Sequence, residues 1–148
     1  MDAQQLSQHF KEVIWVTIAY IGLYYVFLFG QALMKMYVYH FTNLAVTKEN
    51  KKISYSKFKY EFKGVLALTL DRTVGNTLEQ AIPFLLGLWM SAVFSNPHTA
   101  AKFGWLYIAS RLIYPFCFYG GLPWLLMSTM PGYLFIMMLW KDVAIAAL

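Results

Sequence analysis

The chain has 148 residues, 12 of them basic and 7 acidic, for a net charge of +5; it is 59% hydrophobic, 19% aromatic and only 13% charged. That length holds one domain, taken as residues 1–148, and not two. A soluble domain averages about 25% charged residues, so half that share cannot cover a water-facing surface, and most of this surface is expected to face lipid. The lone Cys117 excludes an intramolecular disulfide and a zinc cluster, and no metal site is expected. It lies in an apolar run and reads as a small buried hydrophobe.

The first residues include Asp2, Gln4 and Gln5 where a secretory signal would be basic, and no small-residue cleavage site follows, so the first apolar stretch is expected to be retained. Val13 to Met34 carries no charge, about the 20 residues needed to cross a core about 30 Å thick. Its helix is expected to continue through Lys35, Tyr37 and His40. A polar segment follows from Thr47 to Lys63, with Lys48, Lys51, Lys52, Lys57, Lys59 and Lys63 against only Glu49 and Glu61. Lysine-rich loops stay on the cytoplasmic side and touch acidic headgroups. Hung between two spans, so short a basic segment marks topology, and a nucleic-acid partner is not expected.

A second span is expected from Gly64 to Phe94. Its first part holds Asp71, Arg72, Asn76 and Glu79; after Glu79 it is cleanly apolar. Ser95, Asn96, Pro97 and His98 predict a turn. A third span follows from Phe103 to Tyr119, interrupted by Arg111. Gly120, Gly121 and Pro123 break it, and the last span runs from Trp124 to Trp140, kinked by Pro131 and Gly132, with Lys141 and Asp142 at its exit. The fold class is therefore an all-α membrane protein, a four-transmembrane-helix bundle with its lysine-rich loop inside and both termini outside. Met137, Met138 and the many aromatics are lipid-facing or packing residues.

Charged groups within a membrane cost several kcal/mol unless paired, so each needs a reason. Arg72, Asn76 and Glu79 are spaced i, i+4, i+7 and fall within about 60° of one another on a helix wheel. Asp71 lies about 100° from Arg72 and need not share that face. Tyr107, Arg111 and Tyr114 repeat the spacing on the third span. A guanidinium flanked by two phenols suits a carboxylate, which arginine grips with parallel hydrogen bonds, and Glu79 suits an ammonium or an arginine. Both charges together fit a zwitterionic, multi-carboxylate small molecule better than a lipid tail. Antiparallel spans would let the two stripes face each other in the cytoplasmic half. The plainer alternative is that Arg72, Glu79 and Arg111 pair among themselves and specify packing; two arginines against one glutamate leave a positive excess, which favours a bound anion.

At these residues the sequence resembles the membrane-associated proteins in eicosanoid and glutathione metabolism, the MAPEG family, which includes microsomal glutathione transferases, leukotriene C4 synthase and microsomal prostaglandin E synthase. The matching positions are Arg72, Asn76, Glu79, Pro83 and Phe84, then Tyr107, Arg111 and Tyr114, with Lys35, Met36, Tyr37 and Val38 similar to the prostaglandin-synthase branch. The likeness runs from about Leu33 to Trp140. It implies a four-helix subunit in a homotrimer, with glutathione as co-substrate between subunits on the cytosolic side, held by Arg72, Asn76, Glu79, Tyr107, Arg111, Tyr114 and Tyr119.

The sequence also departs from the family. Many members place an arginine at the start of the fourth helix, where it stabilises the glutathione thiolate; Leu122 to Ser128 contains none. A second family tyrosine is Phe118 here, beside Tyr119, and a basic ligand of the first helix is replaced by Thr47, beside Lys48. A free thiol has a pKa of about 8.5, so activation falls to what remains: Arg111 and Ser128 as catalytic candidates, with Tyr119 as a further donor. The implied function is a membrane-embedded glutathione transferase or peroxidase acting on a lipophilic electrophile drawn from the bilayer. The alternative is a non-catalytic structural or accessory subunit of the same scaffold. An ion or proton pathway is disfavoured because the last span offers almost no polar path. Short loops and the lack of appended signals favour a bacterial inner membrane over the endoplasmic reticulum.

Overall fold

The computed structural model describes residues 2–46, 54–56, 58 and 62–148. Most of the lysine-rich segment, including Thr47, Lys48, Lys51, Lys52, Lys57 and Lys59, lies outside the described residues. Among the described residues the helices are, in order, α1 (Ala3–His9), α2 (Lys11–Val46), α3 (Val65–Glu79), α4 (Ala81–Phe94), α5 (Pro97–Tyr119) and α6 (Trp124–Ala146). No strand occurs among the described residues. Among the described residues two stretches are long and apolar enough to cross a membrane, Lys11–Thr42 and Val65–Phe94. Helices α5 and α6 have 23 residues each, about 34 Å at 1.5 Å per residue.

Local chemistry explains the boundaries. Asp2 and Gln5 form a reciprocal capping box that starts the short α1. The Asn96 side chain accepts from the His98 and Thr99 amides, and Pro97 occupies the first helical position of α5, where its missing N–H costs nothing. Gly121, at φ 72°, follows the end of α5, a left-handed backbone that glycine adopts freely.

The helices run further than hydropathy marks. Helix α2 extends to Val46 and α6 continues past Lys141 and Asp142 to Ala146. The expected second span is two helices, interrupted at Gln80. Pro83 is the cause: it has no N–H to give the Glu79 carbonyl, and its ring crowds that carbonyl. Pro131 falls inside α6 as expected, and Pro115 lies inside α5 as well.

The inward face of α2 is the stripe Val13, Val16, Tyr20 and Leu23, a spacing that returns to one side of a helix every turn. It packs on α5 and on the α3–α4 unit, while α6 packs on α5 and α4. Small residues let backbones approach, as is usual where lipid provides no hydrophobic drive between helices. A Cβ on Gly104 would stand 2.6 Å from Val16 Cγ1 and 3.0 Å from Leu88 Cδ1, so α5 meets α2 and α4 at a point only glycine permits. Phe84 stacks on Tyr107 with ring centroids 4.1 Å apart, at the centre of the core. At the end where α2 and α5 begin, Glu12 and His98 join the two helices at 2.8 Å.

Candidate functional site

Helix α3 divides its polar residues between two faces. Thr69, Thr73 and Thr77 are buried, and each hydroxyl donates to the carbonyl four residues back, which satisfies it where no water is at hand. Asn76 and Gln80 lie on the same buried arc. Arg72 and Glu79 lie on its exposed flank, and neither makes a hydrogen bond or ion pair with another described residue. Asp71 has a partner the sequence did not suggest: Lys35 Nζ of α2 meets its carboxylate at 2.6 Å, and the Gln31 amide donates to the same oxygen. Lys35 is 11% exposed and Asp71 51%, so this pair fastens α2 to α3 beside the exposed flank.

The two expected stripes meet through Asn76 and Arg111. Arg111 is 1% exposed. Its Nη1 donates to Asn76 Oδ1 at 2.7 Å, its Nη2 to the Ser128 carbonyl at 3.1 Å, and its Nε makes a long contact of 3.4 Å with Ser110 Oγ. The guanidinium carbon lies 5.3 Å from the ring centres of both Tyr107 and Tyr114, within the range where an aromatic face attracts a cation. Its seat is cut by Gly132: a Cβ there would overlap Nη2 and stand 2.9 Å from Cζ. The Ser128 hydroxyl donates to the Ser110 carbonyl and closes the α5–α6 seam.

This environment is unusual for a charge. Every hydrogen-bond acceptor around Arg111 is neutral, and no described carboxylate pairs with it. A buried cation held only by neutral dipoles and π faces stays attractive to an anion that can come near.

Asn76, Tyr107, Arg111, Tyr114 and Ser128 thus converge, with Tyr107 and Ser128 wholly buried and Tyr114 nearly so. Arg72 and Glu79 border them from outside. Tyr119, 61% exposed, sits at the far end of α5. Gln80, Ser110, Gly132, Lys35 and Asp71 complete the arrangement, and sequence spacing assigned none of them to the site. Gln80 carried a usable signal: it is polar, one turn after Asn76, and it precedes an otherwise apolar run. Among the described residues no cluster of His, Cys, Asp or Glu could hold a metal.

Comparison with protein families places the chain: the MAPEG family model matches residues 13–144, and the chain belongs to that family. The match begins about twenty residues before the stretch in which the likeness is legible from individual residues. A comparison with curated proteins gave no match. The fold is accordingly an all-helical, membrane-integral one.

Proposed function

With membership of the MAPEG family as the premise, we propose that this protein is a single four-span domain that assembles as a homotrimer and binds glutathione in the cytoplasmic half of the membrane, as a transferase or peroxidase for a lipophilic electrophile. The observation that carries this reading is the flank of α3. Arg72 and Glu79 stand exposed on α3, the first part of the stretch Val65–Phe94 whose length and hydropathy suit a membrane span. Charges so placed need a cover of opposite charge and polar character. A second copy of the chain and a zwitterionic tripeptide provide both, with Arg72 for a carboxylate, Glu79 for the ammonium, and Asn76 and Tyr114 as neutral partners between them.

Glutathione supplies the thiol nucleophile. The residues of this chain hold its charged ends and fix where its sulfur lies, which converts an encounter in the bilayer into an intramolecular approach. In a transfer reaction the thiol loses its proton, a sulfur–carbon bond forms, and the leaving group departs with the electron pair. Arg111, sealed in the α5–α6 seam, acts through its field alone, as a buried positive charge that favours the thiolate without touching it. Ser128 has its hydroxyl directed to Ser110, which makes it part of the seam.

A second reading has its own observation. Among the described residues every hydrogen-bond partner of Arg111 is internal, and Leu122 to Ser128 lacks an arginine. In this reading the protein is a non-catalytic subunit whose flank of α3 serves assembly alone. Calorimetric titration of the detergent-solubilised protein with glutathione, with thiolate absorbance in the near ultraviolet, separates the two. The enzyme reading expects binding below about 10 mM with a thiolate band, abolished by Arg72→Ala while the trimer persists. No binding by the native protein sinks it. Loss of the trimer in Arg72→Ala, without any thiolate signal in the native protein, supports the accessory subunit.

A further inference from the structure

A chain of four side chains runs through the buried core behind the flank of α3. Tyr107 Oη donates to Gln80 Oε1 at 3.0 Å, Gln80 Nε2 donates to Asn76 Oδ1 at 3.2 Å, and Arg111 Nη1 donates to the same Oδ1 at 2.7 Å. The direction of every bond is dictated from one end. Arginine can only donate, so the atom of Asn76 facing Arg111 must be its carbonyl oxygen. That oxygen can then take only a donor from Gln80, which turns the Gln80 amide so that its own oxygen faces Tyr107. Tyr107 must in turn spend its proton on Gln80. Tyr107 is wholly buried and stacked on Phe84, and the Tyr20 hydroxyl beside it donates to the Thr77 carbonyl.

Asn76 Oδ1 thus accepts two bonds, and its Nδ2 is turned away from both donors. Asn76 stands at the edge of the buried arc, on the side of the helix that carries Arg72 and Glu79. We infer that Gln80 and Tyr107 are positioning residues: together with Arg111, which fixes the amide atom that faces it, they hold the Asn76 side chain in one orientation, so that Nδ2 is presented as a donor to an acceptor group, a carboxylate or peptide carbonyl, of the ligand at the flank of α3. Neither touches that ligand. The interruption of the span at Gln80 is what allows this, because it sets a glutamine at the joint of α3 and α4 with its side chain facing α5. The inference rests on the glutathione reading for the identity of the ligand, but not for the orientation of Asn76.

The test uses Gln80→Met, Tyr107→Phe and the double variant in the full-length protein. Methionine keeps the volume of the glutamine, and phenylalanine keeps the stack on Phe84. Each single variant is expected to weaken glutathione binding about fivefold, the size of one lost, oriented hydrogen bond. The double variant is also expected to lose about fivefold, because both residues act through the same amide. Multiplicative losses would mean that Tyr107 or Gln80 touches the ligand directly and would overturn the inference, as would unchanged affinity in Gln80→Met. A readout without ligand accompanies it: the chain has four asparagines, so the side-chain amide of Asn76 can be followed by nitrogen-15 labelling of asparagine alone and assigned by its loss in Asn76→Ala. One sharp pair is expected in the native protein, shifted or broadened in Gln80→Met; an unchanged pair refutes the positioning role even if glutathione fails to bind. Failure of the native protein to bind glutathione counts against the proposed function only.

Discussion

Arg111 and Arg72 sit on neighbouring helices, and each was expected to grip the same ligand, yet the fold treats them oppositely. Arg111 is sealed at the α5–α6 seam, its guanidinium shared among Asn76, the Ser128 carbonyl and two tyrosine faces. Arg72 stands on the exposed flank of α3 with no hydrogen-bond partner among the described residues. The seam is complete within one chain and contributes to folding. The flank carries two exposed charges that no other described residue covers. The same residue type is thus sealed in one place and exposed in the other, and under the proposed function the exposed one serves recognition.

That contrast breaks most sharply at Arg111. Arg111→Met removes two charge-assisted hydrogen bonds and a tightly packed head group, and should cost about 3 kcal/mol of stability, read as an earlier midpoint in an SDS titration followed by far-ultraviolet circular dichroism. If Arg111→Met unfolds like the native protein, the seam does not hold the fold. Gly132→Ala drives a methyl into the guanidinium and should cost about 2 kcal/mol, in the range of overpacked cores; the same titration reads it, and a neutral result would mean that α6 can move away from α5 freely. On the flank, Glu79→Gln should leave the unfolding midpoint within about 0.5 kcal/mol of the native value while weakening glutathione binding. A large stability loss there would erase the distinction between seam and flank.

The sequence was informative about where helices lie and about which residues share a face. The long charge-free runs locate the apolar helical stretches because burial in lipid demands them, and the spacing of Asn76 and Arg111 anticipates that the two stripes meet. It was uninformative about direction. Periodicity puts Arg72, Asn76 and Glu79 on one stripe, but Asn76 lies just inside the buried arc and the other two just outside it, a difference of a few tens of degrees set by how α5 packs. Asp71 looked unattached because its partner, Lys35, is 36 residues away on α2. Gly132 could be read only as a kink, since nothing in α6 announces that a guanidinium from α5 needs the space of its missing side chain. The helix ends ran past their apolar stretches because backbone hydrogen bonding continues into the polar zone where hydropathy has already fallen.

The interruption at Gln80 has a bearing on how the protein is made. Helix α4 has 14 residues, about 21 Å at 1.5 Å per residue, too short to cross about 30 Å of hydrocarbon alone. Helix α3, with Asp71, Arg72 and Glu79, is a poor candidate to enter lipid unaided. Helix α2 leaves the ribosome first and already carries Gln31 and Lys35, the two groups that take up the Asp71 carboxylate. The polar half of the second span is thus made tolerable in part by contacts with α2, the helix that precedes it in the chain.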